Sequence, residues 1–271
     1  MATDSTVTTP RRAGRLPRAL RSRFFGWLVF AGVLLAWQRY ASTHPSPRYA
    51  TVTDVAAKWW SEILGGPLPA AILQTLRTML IGYAVAAVLA VAVGVLMARV
   101  RFVYVLVEPP LELLRPMPIS AVIPLLILYL GIDDAMKISV VALAAFFHIL
   151  LNAYSGAGST PRTMMDTART FGLTWRQTMA EVVIPAAAPA IFVGLRSALA
   201  ASLVISVVVG MIAGNDGLGH LLMIQQQSFL VTDLIVGAVT IAMLGYLLNF
   251  AFLFVERRIL HWHFGATRAQ D

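Results

Sequence analysis

Cysteine is absent from this chain of 271 residues, so disulfides and thiolate metal sites are excluded. Charge is scarce. Asp, Glu, Lys and Arg make up 13% of the chain, against about a quarter in soluble domains. Lysine occurs only as Lys58 and Lys137, and no G-x-x-x-x-G-K-S/T phosphate loop is present, so the chain has no visible ATP site of its own. It also lacks an H-E-x-x-H pair and a G-x-S-x-G elbow, which leaves no catalytic constellation for a membrane-bound enzyme. What is abundant is apolar: 58% of residues are hydrophobic and the mean hydropathy is +0.76. That composition predicts a polytopic, all-α membrane protein with one membrane domain.

The formal charge of +8 does not point to nucleic acid, because its distribution is that of a topology signal. Six arginines lie in the N-terminal tail (Arg11, Arg12, Arg15, Arg18, Arg21 and Arg23), and most others flank apolar runs. No convincing cleavage site follows the first run, so Phe24 onward reads as a retained helix.

A crossing helix needs roughly 20 apolar residues. The runs lie at about 24–40, 75–98, 119–130, 138–154, 186–213 and 234–255, which predicts six spans. With the N-terminus inside, the tail, Arg99 and Arg101, Arg162, Arg169 and Arg176, and Arg257 and Arg258 all fall on the cytoplasmic side. The third region is interrupted by Pro109-Pro110 and by Pro116 and Pro118, with Pro124 as a further kink. Breaks at membrane depth occur where backbone is buried in protein or lines a cavity, so this region is either a broken helix beside a path or an interfacial elbow.

Polar side chains within spans are the natural pathway candidates, because lipid burial is costly. His148 and Asn152 lie four apart on one face, just after Phe146 and Phe147. Ser202 and Ser206 repeat that spacing in the fifth span, where back-bonding to helix carbonyls is the plainer role. Arg196, a third of the way into that span, is placed to snorkel toward the cytoplasm. Gly82, Ala86, Ala90 and Gly94 form a small-residue face on the second span, and Gly210 and Gly214 a second pair. Such faces serve helix packing or, on the sharper reading, a two-fold contact between copies.

The segment from Asp166 to Pro185, DTARTFGLTWRQTMAEVVIP, is polar and helix-compatible between two apolar runs. It resembles the cytoplasmic EAA loop of permease subunits of ATP-binding-cassette (ABC) importers, with Asp166-Thr167-Ala168 for the opening, Gly172 six residues on, and Val182, Ile184 and Pro185 for the close. LLRPMPISAVIPLLILYLGI (113–132) and VERRILHW (255–262) are similar to the nitrate, sulfonate and taurine branch. The chain departs from that branch where an acidic residue precedes the Met-Ile pair, since Val209 and Gly210 stand before Met211 and Ile212.

The resemblance implies an ABC type I importer permease fold of about six transmembrane helices, spanning the bacterial inner membrane with both termini cytoplasmic. It implies that Asp166, Thr167, Ala168, Gly172, Val182, Ile184 and Pro185 couple to an ATPase. It places Arg115, Pro116, Met117, Pro118, Phe147, His148, Asn152, Ser202 and Ser206 as candidates along the translocation path. The organisation expected is a basic tail (1–23), a first helix with an outer segment (24–73), a core (74–262) with the coupling loop at about 156–185, and a short tail (263–271). The implied partners are a second permease copy, two ATPase subunits that use ATP and Mg, a periplasmic or lipid-anchored binding protein, and membrane lipid, with no nucleic acid. No cofactor or metal is expected in this subunit. The solute expected is small and polar or anionic, of the nitrate, sulfonate or taurine type; a thiamine-type pyrimidine is the alternative. A stand-alone secondary transporter is the rival class, but the intramembrane charge network or inverted repeat expected of one is not evident.

Overall fold

The computed structural model describes residues 23–46 and 48–261, and every regular element among them is helical. The expected basic tail (apart from Arg23) and the C-terminal tail lie outside the described residues. The helices are α1 (Arg23–Thr43), α2 (Val52–Gly65), α3 (Leu68–Arg99), α4 (Arg101–Leu114), α5 (Ile123–Leu130), α6 (Asp134–Gly158), α7 (Arg162–Thr170), the short α8 (Trp175–Gln177), α9 (Ile184–Ala213), α10 (Gly217–Gln227) and α11 (Val231–Ile259).

The core is a layer of three long helices with α6 in the middle, and small residues set its spacing. On α3, a Cβ added at Gly82 would lie 2.7 Å from the Ile138 carbonyl oxygen, and one at Gly94 would lie 2.8 Å from that of Leu150. Ala86 and Ala90 between them are fully buried. On the other side of α6, Gly156 meets Ala187 and Ala190, and Gly194 of α9 meets Asn152. Lipid tails are as apolar as the helices, so close backbone approach and dispersion, not the hydrophobic effect, hold such a layer together. The Gly82–Gly94 face is therefore spent within the chain, and the two-fold-contact reading of it is corrected. Gly210 is used the same way, against Gly219 of α10.

At one end of the layer, polar groups pin the helices. Gln74 donates to Asp134 at 2.9 Å, and the Leu218 backbone N–H donates to Thr75 Oγ1 at 2.8 Å. Lys137, only 5% exposed, is held by Asp216 and lies 3.9 Å from Asp134. A buried ammonium needs such partners. At the other end, Arg99 donates to the Ala157 carbonyl at 2.6 Å, satisfying an orphan C-terminal acceptor of α6. That end carries the 159–183 loop and is called the loop end.

Residues 42–73, to which the sequence assigns no role, form a linker, an N-capped helix and the start of α3. Thr51 and Asp54 make a capping box that starts α2. Lys58 pairs with Asp233 at 3.1 Å and Glu62 at 3.3 Å, and Trp59 donates to Thr240 at 3.1 Å, so α2 lies along α11. Asp233 first, then Glu62, push the Lys58 ammonium above its ordinary value.

Several boundaries differ from expectation. Four stretches among the described residues are long and apolar enough to cross a membrane: α3, α6, Trp175–Ala213 and α11. A fifth is the pair Arg101–Leu114 and Ile119–Leu130, bent by 92°. The expected first span is helical as α1 but is not among these stretches. Pro109 and Pro110 do not break the third region; α4 runs through them on its exposed side, and the chain turns instead at Arg115–Pro118. Pro124 sits in the first turn of α5, where a missing N–H costs nothing. The boundary drawn at 73–74 falls inside α3, and the loop is shorter than 156–185 because α6 reaches Gly158 and α9 begins at Ile184.

Gly94→Leu should lower the unfolding free energy by about 1–3 kcal/mol through overpacking against α6. Gly32→Leu on α1, where nothing lies within 4 Å, should leave it unchanged. Thermal unfolding in detergent distinguishes the two.

Candidate functional site

The loop is built from local signals. α7 ends in a Schellman motif: the Leu173 N–H bonds the Ala168 carbonyl and the Gly172 N–H that of Arg169, both at 3.0 Å. Gly172 has φ +70, the left-handed conformation this motif needs, and a Cβ there would meet nothing within 4 Å. Its requirement is conformational and not one of space. Thr174 and Gln177 form a capping box that restarts the helix. The backbone then widens into a π-helical turn over Thr178–Val183 and continues into α9 without a break. The loop thus holds one free helix, α7, and a second that is the root of α9.

Between α7 and the start of α9 lies a cavity of about 900 Å³, lined by Met164, Thr167, Ala168, Phe171, Val182 and Pro185 among others. Ala168, 2% exposed, fills the close contact that a larger side chain would occupy. Phe171 is 78% exposed at the rim, and Met164 and Trp175 are also exposed. Asp166 points outward and pairs with Arg169 at 3.3 Å. Of the seven expected coupling residues, the structure brings Thr167, Ala168, Val182 and Pro185 to this groove. Asp166 stands on the outer face of α7 and Gly172 shapes its end. Ile184 is exposed and lies apart from the lining. Phe171, Met164 and Trp175 were not singled out from sequence; exposed apolar residues in a polar loop were the available signal.

The expected path residues separate into three places. Arg115 and Phe147 border one cavity of about 190 Å³ with Tyr104, Glu108, Glu112 and Tyr154, so the proline-turn region and α6 do share a cavity. Tyr104 donates to Glu108 and stacks on Tyr154 at 5.8 Å. Pro116, Met117 and Pro118 form the exposed turn beside it. His148 and Asn152 are not part of this cavity. Asn152 donates to the His148 carbonyl at 2.8 Å and packs on Gly194 of α9, and the exposed His148 ring contacts the Ala144 carbonyl at 3.1 Å. Ser202 and Ser206 are buried in the helix layer, which corrects their reading as path-lining residues. Ser206 borders a small polar cavity beside Lys137 and Asp216, and no partner meets Ser202 Oγ. Their i, i+4 spacing places them on the inner face of α9, toward the core. Among the described residues no cluster of His, Asp or Glu could hold a metal ion.

Residues 90–261 match the family model described as binding-protein-dependent transport system inner membrane component. The chain is similar to a probable ABC transporter permease protein of Brucella melitensis, 34% identical over 209 residues, 77% of this chain and 85% of that one. It is also similar to the putative aliphatic sulfonates transport permease protein of Escherichia coli, 31% identical over 245 residues, 88% of this chain and 91% of that one. Among solved structures, an inward-facing conformation of the MetNI methionine ABC transporter shares the fold, with TM-score 0.62 at 21% identity, covering 70% of this chain and 94% of that one.

Gly172→Val should open the end of α7, since a β-branched residue at φ +70 costs about 1–2 kcal/mol. Gly172→Asn, which tolerates this conformation, should preserve it. Hydrogen exchange of the amides of Gly172 (Asn or Val in the variants) and Leu173 reports the difference: faster in Gly172→Val, unchanged in Gly172→Asn.

Proposed function

The chain belongs to the family of binding-protein-dependent transport system inner membrane components, and from that premise we propose that its loop groove docks a separate ATPase whose motion opens and closes a solute path. It is a multi-pass permease subunit of an ABC importer. The observation that carries the coupling reading is the continuity of Trp175–Ala213, which joins the groove wall to a membrane helix without a hinge. A helix or loop edge seated between α7 and Val182–Pro185 would push directly on α9. Through Gly156, Ala187, Ala190 and Gly194 that displacement reaches α6. The groove, with Phe171 and Met164 at its edge, suits an apolar ridge on the partner. ATP and Mg act in that partner, and this subunit transmits force.

Two copies of the chain around two ATPases, with the loop end cytoplasmic and a periplasmic or lipid-anchored binding protein at the far end, complete the proposed assembly. The clustering of Arg99, Arg162, Arg169, Arg176, Arg257 and Arg258 toward the loop end supports this orientation. The solute proposed is a small anionic or polar one, in keeping with the sulfonate name of one relative and the resemblance to the nitrate and taurine branch.

Co-expression with the partner ATPase and binding protein tests this. Gly172→Val should reduce ATP-driven uptake of ethanesulfonate or taurine about tenfold, the effect of losing roughly 1.4 kcal/mol at the docking surface, while membrane insertion is retained. Full uptake together with undiminished ATPase co-purification would refute the docking role. Native mass spectrometry should show two permease copies per pair of ATPases. Uptake by the purified subunit alone would instead establish a secondary transporter.

His148→Ala and Asn152→Leu should each slow uptake modestly and leave solute affinity of the isolated binding protein unchanged. Full uptake by both would make that face of α6 a packing surface.

A further inference from the structure

Unlike Arg77, which lies 4.0 Å from Asp134 near the far end, Arg196 is set deep within a long membrane helix, away from both ends. It lies roughly 18 Å along α9 from Ile184, and Asn249 lies roughly 15 Å before the end of α11. Its Nε donates to Asn249 Oδ1 at 3.1 Å. That bond uses one of the five donors of the guanidinium and orients the rest. The head is exposed on the single chain.

The bond to Asn249 ties the head to α11 and works against the expected snorkelling toward the loop end. Phe192, one turn nearer that end on α9, and Phe252, just beyond Asn249 on α11, bring their rings to 5.9 Å and set an aromatic contact between the two helices on the loop side of the pair. No carboxylate answers the charge. Arg196 forms no ion pair among the described residues, α9 contains no Asp or Glu, and those of α6 and α11 lie at their ends, at Asp134, Asp233 and Glu256. Toward the far end, α9 presents the exposed, uncharged residues Ala200 and Val204, and on the loop side Val193 is exposed and uncharged as well. An exposed cation at this depth is costly against hydrocarbon and belongs beside water or protein.

We propose that Arg196, oriented by Asn249, is the anion-recognising subsite of the path, taking the sulfonate, carboxylate or oxyanion group of the solute. This rests on the reading of the chain as a path-forming importer subunit and adds the charge class and the residue that reads it. A single fixed cation with open N–H donors attracts an anion without enclosing it, so the solute is released as easily as it is taken up. Lipid phosphate is a second source of the same chemistry, but headgroups lie at the interface, and Arg196 sits roughly 18 Å along α9 from Ile184.

The natural absence of cysteine makes the test clean. Ala200→Cys places one reporter thiol one turn from Arg196 on the exposed side of α9. The assembled transporter in phosphatidylcholine vesicles is reacted with anionic and with cationic methanethiosulfonates of similar size. The anionic-to-cationic rate ratio should exceed that of free mercaptoethanol and should fall about tenfold on adding Arg196→Gln, because one charge acts on the two reagents in opposite senses. Arg196→Lys should retain most of the ratio. Should Arg196→Gln not assemble, the comparison with mercaptoethanol and with Asn249→Ala decides.

A thiol unreactive to both reagents, a ratio equal to that of mercaptoethanol, or one unchanged by Arg196→Gln overturns the proposal. So does a ratio that collapses only when anionic lipid is added, which would assign Arg196 to headgroups. These failures are separable from failure of the importer reading, which is judged by ATPase co-purification.

Discussion

The close approach of backbone to backbone across α6 is the constraint on which the rest depends. Gly82 and Gly94 admit it on one side, and Gly156 and Gly194 on the other. In water, burying leucines would hold such helices together. In lipid that drive is absent, and stability must come from contact density, interhelical hydrogen bonds and small residues. The buried core is accordingly rich in alanine (Ala86, Ala90, Ala144, Ala145, Ala153, Ala157, Ala187, Ala198). Tyr83 adds a hydrogen bond from α3 to the Leu195 carbonyl of α9 at 3.1 Å, joining the outer helices of the layer across its edge.

The two ends of this layer are built differently. At the far end, Gln74, Thr75, Asp134, Lys137 and Asp216 tie α3, α6 and α10 together with directional bonds. At the loop end, the helices are joined by small apolar contacts and by Arg99 on the Ala157 carbonyl. Polar networks resist sliding more than alanine faces do, because each displaced bond leaves a buried group unsatisfied. A push on the root of α9 therefore meets a fixed far end and a looser near end. The π-helical turn at Thr178–Val183 lies at that root, between the groove wall and the membrane helix, and such turns are frequent at functional sites.

Much of this was legible in the chain itself. The repeat of Gly82, Ala86, Ala90 and Gly94 marked a packing face, and the loop residues named their groove, because helix caps and turns are written locally: Gly172 at the end of α7 is an example. Helix length was also readable for α6 and α11, within a turn or so at each end. What sequence left undecided depends on which neighbour a face meets. Ser202 and Ser206 have the same spacing as His148 and Asn152, yet one pair faces the core and the other the α6–α9 seam. Pro109 and Pro110 carry the same local penalty as Pro116 and Pro118, but α4 exposes the first pair, where the lost ladder bonds are not buried in the core. Asn249 gave no signal at all, since only the fold brings it to Arg196.

The reading of two copies around one path follows from what a single chain leaves uncovered. Among the described residues its largest cavity, about 900 Å³, sits beside the loop, and one of about 190 Å³ lies against α4; neither runs the length of the bundle. The second half of α11 exposes Tyr246, Leu247, Phe250 and Phe254, and α9 exposes Val193 and Val204 beside Arg196. Lipid accepts the apolar residues but not the guanidinium. A surface that is apolar around a lone fixed cation satisfies lipid on its flanks and requires something else at its centre. In the two-copy assembly proposed above, a second copy facing it across a water-filled cleft would satisfy both demands at once and would place two arginines where a passing anion meets them at the same depth.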